Sequence, residues 1–376
     1  MVEAFTSQLP VRIRFGDGVI GELDEILGGR SALVVVEEPV ALIPQVAAAI
    51  ASYESFMKRP GEPTVEVMAE ATAAVAERRP QVVVGIGGGS ALDMAKAARA
   101  CAGGGVRFEQ LASGEATLGP SDMELVLIPT TSGTGSEVTG AAVAFDPALG
   151  RKTAFALPIA RADHALVDPQ LTVGLPPAAT SHTGVDALAQ AIGGVIVSNS
   201  NPLSIAAGLE ACRHIAAGLE PAVRDGSDLD ARREMSLGSL LAGLAINLAD
   251  CGADHALGHA AGSVLGLPHG LAVGVVLPEC LEVNRPACAE RLERVADALA
   301  YPDDGSRDGS RAVAAVRRML AAIGLPSARE AGLREQHVDR MTEIALDDYC
   351  LTVNPRAWSA ADVRGAYEAA IAATRD

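Results

Sequence analysis

The sequence predicts an α/β N-terminal domain, a Rossmann-like parallel sheet that binds a dinucleotide, followed by an all-α C-terminal domain. Three observations carry this. Short β-branched runs alternate with Ala-rich stretches over the first half. Glycine-rich or hydroxyl-rich turns close two of those runs. The second half is rich in Ala and Leu with few β-branched runs. At 376 residues the chain exceeds one hydrophobic core, so two domains are expected, 1–175 and 176–376.

Taking the elements in order, SALVVVE (31–37), QVVVGIGGG (81–89) and MELVLIPTT (123–131) are continuous apolar runs ending in acid, glycine or threonine. Strands covered on both faces have this pattern. Between the first two, EVMAEATAAVAERRP (66–80) places apolar residues at helical spacing and stops at Pro80. Strand, helix, strand implies parallel pairing. The character changes near LTVGLPPAAT (171–180), and beyond it helices are joined by the polar connectors DGSDLDARRE (225–234) and YPDDGSRDGSR (301–311). The most apolar stretch, SLLAGLAINLADCGADHALGHAAG (239–262), is expected to be one buried helix. Asn247, Asp250 and Asp254 interrupt it too often for a membrane span.

Composition narrows the function. Hydrophobic residues at 49% and charged ones at 20% exclude a disordered chain. A net charge of −17 argues against nucleic-acid or anionic-membrane partners, whose phosphates it would repel. The N-terminal MVEAFTSQLPVRIRF lacks the pattern of a secretory signal. Six cysteines without CxxC spacing point to reduced thiols, and a cytoplasmic protein is expected.

Two loops carry the ligand chemistry. GIGGGSALDMAKA (85–97) follows a strand and opens a helix, so backbone N–H groups and the helix N-terminus offer an anion site suited to a pyrophosphate. PTTSGTGSEVT (129–139) gathers five hydroxyls before Val138 at the next strand end. A tight turn and a solvated loop are the plain alternatives. Of only three lysines, Lys58, Lys96 and Lys152, two lie in or just after these loops, where a compact ammonium suits a phosphate or ribose. Glu37, closing the first strand, is placed to accept from a ribose diol and repel a 2′-phosphate, which favours NAD over NADP.

The histidines are concentrated. DHALGHAAGSVLGLPHG (254–270) holds His255, His259 and His269, three of the seven. His255 and His259 share a helix face, and His269 sits on the turn beyond. HTGVDALAQAIGG (182–194) sets Asp186 and Gln190 four apart on another helix. Two such helices and one turn histidine can enclose a divalent cation. Structural core histidines are the alternative. His164, His182, His214 and His337 receive no role, although His182 is close enough to Asp186 to line a cleft.

These pieces together resemble the iron-containing (group III) alcohol dehydrogenases, relatives of glycerol dehydrogenase, maleylacetate reductase and dehydroquinate synthase. The likeness runs through RFGDGV (14–19), GEPT (61–64), GGGSALDMAK (87–96), PTTSGTGSEVT, RKTAF (151–155), ALVDPQLT (165–172), LPPAATSHTGVDALAQ (175–190), NP (201–202), HALGH (255–259), GLPHG (266–270) and NPR (354–356). It implies an active site in a cleft between the two domains. It implies that Gly88, Gly89 and Ser90 touch the pyrophosphate of NAD (or NADP) with Asp93 supporting the turn. Thr130, Thr131 and Thr134 then line the cofactor, and Lys152 reaches the nicotinamide ribose. Asp186, His255 and His269 fall on three positions that bind Fe²⁺ or Zn²⁺ in metal-dependent members, and His259 on a non-ligand histidine suited to proton exchange.

The fourth metal position departs from the family pattern, because Gln190 stands where His is usual. GGVIVS (193–198) also replaces the usual Glu-Ala-Tyr, so a reshaped pocket wall is expected. The resemblance implies metal-assisted hydride transfer between NAD(P)H and a small aldehyde or ketone, by a homodimer or higher homo-oligomer. A metal-free reductase of maleylacetate-reductase type is the alternative. So is a reductase of a phosphonate- or carboxylate-bearing aldehyde, with Arg356 as the anion contact. A dehydroquinate-synthase-like lyase is disfavoured by the scarcity of Lys and Arg around the metal motifs, and a non-catalytic nucleotide-binding paralogue by the intact glycine loops.

Overall fold

The computed structural model describes residues 5–9, 11–119 and 121–373. The first half alternates β1 (Arg12–Phe15), α1 (Leu23–Leu27), β2 (Ala32–Glu37), α2 (Pro44–Ile50), β3 (Glu54–Lys58), α3 (Val65–Arg78) and β4 (Val82–Gly87). It continues with α4 (Gly89–Gly104), α5 (Phe108–Ala112), β5 (Glu124–Pro129), β6 (Ala141–Asp146), β7 (Arg151–Ala156) and β8 (His164–Val167). Six strands form one parallel sheet in the order β1-β8-β5-β4-β2-β3, while β6 and β7 pair as an antiparallel hairpin. The three long apolar runs are β2, β4 and β5, as expected. β3 and the β6–β7 hairpin are additions that the apolar pattern did not reveal.

Side-chain alternation explains why those runs are apolar throughout. Val34, Val36, Val82, Val84, Ile86, Val126 and Ile128 enter one core, with Leu23, Leu27 and Val46 from the helices on that side. Leu33, Val35, Val83, Leu125 and Leu127 enter the other, against Met68, Val75, Leu92 and Met94 of α3 and α4. A strand buried on both faces has no solvent side on which to place polar residues. Each such side chain taken out of water contributes about 1.5–3 kcal/mol.

From Pro177 the chain is helical: α6 (Pro177–Ile196), α7 (Pro202–Arg224), α8 (Leu229–Leu248), α9 (Ala253–Leu265) and α10 (His269–Gly274). Then follow α11 (Leu277–Ala298), α12 (Ser310–Ala322), α13 (Val338–Leu346) and α14 (Ala360–Ala372). The chain forms two compact units. One comprises Leu9–Thr131 and Gly135–Val173; the other takes in Ser132–Thr134 and runs from Gly174 onward. The expected single helix over 239–262 is instead two, α8 and α9, meeting at 105°. Asp250 at the break has a left-handed φ of 134°, and its Oδ2 accepts hydrogen bonds from Asn199 Nδ2 (3.0 Å) and Tyr349 OH (3.2 Å). Among the described residues no single helix is long and apolar enough to cross a membrane.

Two asparagines hold that corner. Asn201 Oδ1 caps the first turn of α7, accepting from Leu203 N and Ser204 N, while its Nδ2 donates to Leu248 O at the end of α8 (2.8 Å). Asn354 Oδ1 accepts from Ala253 N, the first residue of α9 (2.9 Å). Each answers backbone groups that helix ends leave without intrahelical partners. The NP motif thereby ties the start of α7 to the end of α8, and the NPR motif fixes the start of α9, the helix that carries His255 and His259.

Candidate active site and metal centre

The sheet reverses its strand order between β2 and β4, because the chain runs outward from β2 to β3 and returns to β4 on the other side. Open α/β sheets bind ligands outside the carboxyl ends of the strands at such a switch point. Glu37 and Gly87 end these two strands. Gly87 has φ 148°, and a Cβ there would lie 2.8 Å from Ala91 Cβ and 3.6 Å from Glu37 Cβ, so this turn requires glycine. Gly88 is the N-cap of α4, with Gly89 and Ser90 in its first turn, and Thr131 lies against Gly88. Thr130 N donates to Gly87 O (2.9 Å), joining the two loops.

Asp93 supports the second loop rather than only its own turn. Its Oδ1 accepts from Ser136 Oγ (2.6 Å) and its Oδ2 from Val143 N (3.1 Å). Lys96 does not face a ligand as its position in the motif had indicated. It is fully buried, and its Nζ donates to Ser136 Oγ, Thr139 Oγ1 and Ala141 O beside Asp93. Glu137 is buried in the same loop, and desolvation pushes its carboxyl up to about 7. Lys152, on β7, pairs with Glu62 of the GEPT segment at 2.6 Å. Thr134 stands in the loop tip Ser132–Thr134, which packs with the helical unit: Ser132 Oγ lies 3.1 Å from Ser236 Oγ, and Gly133 abuts Thr183.

Lys58 is a residue that sequence reasoning left without a role. It sits beside Glu37 in the β2–β3 register and donates to Glu37 Oε1 (3.0 Å), Arg59 O (3.0 Å) and Gly61 O (2.7 Å). All three ammonium protons are therefore engaged. Its signal was the rarity of lysine, but pairing with Glu37 depends on a strand that the sequence pattern hid.

In the helical unit Asp186, His255 and His269 converge. One ligand atom from each lies within 4.8 Å of the others. His255 Nε2 is 3.4 Å and His269 Nε2 is 3.3 Å from Asp186 Oδ1. Donors bound to one cation at about 2.0–2.2 Å in tetrahedral geometry stand about 3.4 Å apart. Glycine makes this approach possible. A Cβ on Gly270 would lie 2.6 Å from the His182 carbonyl carbon and 3.3 Å from Asp186 Cβ, so only glycine lets α10 start against α6.

The donor set fits a divalent cation. Asp186 Oδ1, His255 Nε2 and Gln190 Oε1 are buried and make no hydrogen bond to the described residues. Unsatisfied buried polar atoms are rare, and three on neighbouring side chains call for a shared partner. Gln190 follows Asp186 by one turn on α6 and is 4% exposed. His255 Nδ1 donates to Asp254 Oδ2 (2.7 Å), which orients the ring with Nε2 toward Asp186. Burial tends to raise the Asp186 carboxyl, but His269 and His255 overcome it and hold it well below the usual range. Burial also opposes charge on His255, yet Cys251, Asp254 and Asp186 raise it well above the ordinary value. The cavity favours positive charge.

His259 is turned elsewhere. Its ring stacks on His269 (centroids 5.3 Å, 23°), and its Nδ1 lies 2.8 Å from Asp348 Oδ2. Asp348 was missed in the sequence, being 89 residues away. Burial alone would raise its carboxyl, but the hydrogen bond and charge of His259 and the Cys350 backbone N–H hold it well below normal. One expectation about the surroundings changes. Arg356 is not an anion contact: it donates to Val283 O and to Asp362 Oδ1 (2.6 Å). The Gly193-Gly194 pair serves helix packing, since a Cβ on Gly194 would lie 2.6 Å from Ala245 Cβ of α8. His182 lies at the contact with Gly270, His164 on β8, His214 against Glu234 and His337 in a surface turn.

Comparison with known proteins identifies the family of the chain. Residues 10–169 match the iron-containing alcohol dehydrogenase family, and residues 180–371 match its C-terminal domain. The chain is 36% identical over 312 residues to the probable alcohol dehydrogenase EutG of Salmonella typhimurium, covering 83% of this chain and 78% of that protein. The crystal structure of a 1,3-propanediol oxidoreductase superposes with a TM-score of 0.91 at 30% identity, over 98% of this chain and all of that one. A sulfoacetaldehyde reductase from Bifidobacterium kashiwanohense, solved with NAD⁺, superposes at 0.90 with 25% identity, over 99% and 100%. The chain belongs to the iron-containing alcohol dehydrogenase family, oxidoreductases that use a divalent metal and a nicotinamide dinucleotide to interconvert alcohols and carbonyl compounds.

Proposed function

We propose that this chain transfers hydride reversibly between NAD(H) and a small aldehyde or ketone, with Asp186, His255, His269 and the Gln190 carbonyl oxygen holding the metal. The observation that carries this reading is the set of three buried, hydrogen-bond-free ligand atoms on Asp186, His255 and Gln190 beside His269. A divalent cation bound there supplies Lewis acidity to the substrate oxygen. An amide oxygen is a weaker donor to Fe²⁺ or Zn²⁺ than imidazole, so the metal is held less tightly than by a three-histidine set.

The chain's own residues do the rest. In the oxidising direction a bound nicotinamide would accept the hydride, and the hydroxyl proton must reach solvent. His259 takes it at Nε2, because Nδ1 is engaged by Asp348, and its part-exposed ring passes it outward. Gly88, Gly89 and Ser90 bind the pyrophosphate at the start of α4, and Thr130 and Thr131 flank it. Glu37 Oε2 accepts from the adenosine ribose. Lys58, its protons already engaged, offers nothing to a 2′-phosphate, which supports NAD over NADP. Thr134 and Lys152 are assigned to the nicotinamide end, Lys152 on release from Glu62.

The test is NADH oxidation over short aldehydes, before and after chelation and on restoring Fe²⁺ or Zn²⁺. Activity that disappears with the metal and returns with it supports the reading. Turnover that survives complete removal transfers the assignment to a metal-free reductase.

A further inference from the structure

A second group of ligand atoms lies beside the first. A ring nitrogen of His259, a carboxylate oxygen of Asp348 and Cys350 Sγ all fall within 4.8 Å of one another, and all three residues are part-buried. Asp348 and Cys350 come from one short turn. Asp348 Oδ1 accepts from Cys350 N (2.8 Å), and Asn354 Nδ2 donates to Cys350 O (3.2 Å), so the backbone presenting both donors is fixed. The third donor, His259, arrives from α9 already 2.8 Å from Asp348 Oδ2. An imidazole nitrogen, a carboxylate and a thiolate bound to one cation at about 2.0–2.3 Å stand about 3.3–3.5 Å apart, so capture asks the histidine–aspartate contact to open by about half an ångström and the thiol, already within 4.8 Å, to close to that spacing.

We propose that His259, Asp348 and Cys350 form a second, inhibitory cation site that takes a thiophilic divalent metal such as Zn²⁺. The donor chemistry sets the class. A thiolate with imidazole and one carboxylate selects Zn²⁺, Co²⁺ or Cd²⁺ over Mg²⁺ or Mn²⁺, whereas the Asp186, His255 and His269 donor group includes no sulfur. Binding replaces the proton between His259 Nδ1 and Asp348 and the thiol proton of Cys350, and both leave to solvent. The inhibitory part rests on the assignment of His259 to proton exchange, because a cation there occupies that ring and its orienting carboxylate. The binding part does not. Nor does it alter the Asp186 ligands, although the His259 ring stacks on His269.

The test is Co²⁺ titration of the full-length protein, followed by the thiolate-to-cobalt charge-transfer band in the near ultraviolet. The band should appear as a second equivalent binds. It should be lost in Cys350→Ser and in Asp348→Asn, and retained in Cys251→Ser, the control for the other thiol near His255. The paired variants keep the test decisive if one fails to fold. Excess Zn²⁺ should inhibit the loaded enzyme, and Cys350→Ser should keep its basal turnover but lose that inhibition. Binding of only one equivalent, or a band that persists in Cys350→Ser, overturns the site. A chain without dehydrogenase activity that still shows the Cys350-dependent band leaves the site standing and overturns the assigned reaction instead.

Discussion

Replacing Gly270 by Ala tests how the fold delivers His269 to the metal. The added methyl would stand 2.6 Å from the His182 carbonyl carbon, against an ordinary carbon–carbon contact of about 3.5–4.0 Å, so α10 must retreat from α6 by about 1 Å. Metal–ligand distances tolerate departures of about 0.2 Å, and the required retreat exceeds that several-fold at the residue adjacent to His269. Overpacking of this kind costs about 1–3 kcal/mol of stability. The variant should therefore remain folded by circular dichroism, lose stability in urea, and release its metal to a weak chelator far faster than the parent. A Gly270→Ala protein that retains metal as tightly and unfolds at the same denaturant concentration would refute the reasoning, because His269 would then not owe its position to that contact.

Three further changes probe other parts of the account. Gln190→His should slow metal release in a chelator competition; unchanged release removes Gln190 from the ligand set. Glu37→Ser should narrow the preference for NADH over NADPH, read as the ratio of kcat/KM values, and a parent that prefers NADPH would remove Glu37 from the ribose. Glu137, raised to about 7 by burial, stabilises the fold only while protonated. Its contribution is complete below the unfolded value near 4.5 and is lost as pH rises through 7. Ionisation there costs about 3 kcal/mol, so Glu137→Gln should gain stability over the parent between pH 5 and pH 8, and a difference independent of pH would contradict the burial argument.

What the sequence could disclose follows from range. β2, β4 and β5 were legible because a strand covered on both faces has no choice but apolar residues, and the glycine turn after β4 because only glycine accepts its φ. β3 was not legible: it is a sheet edge with Met57 exposed and Lys58 buried, the reverse of what hydropathy expects. The break between α8 and α9 was hidden for a different reason. Apolar periodicity continues across it, and the corner is held by Asn199, Tyr349 and Asn354, residues remote in the chain. Asp186, Gln190, His255 and His259 could be paired by helical spacing, and His269 by the Leu-Pro stop before it. Asp348 could not, because its link to His259 spans 89 residues and no local pattern encodes it.

The most direct measurement is the number of divalent ions that remain on each chain after exhaustive dialysis, for the parent and for His255→Ala. The account requires about one ion per parent chain held by the Asp186, His255 and His269 donors after dialysis, and none at those donors in the folded variant. A parent that carries no ion while oxidising NADH at full rate, or a variant that holds the ion as the parent does, would contradict it.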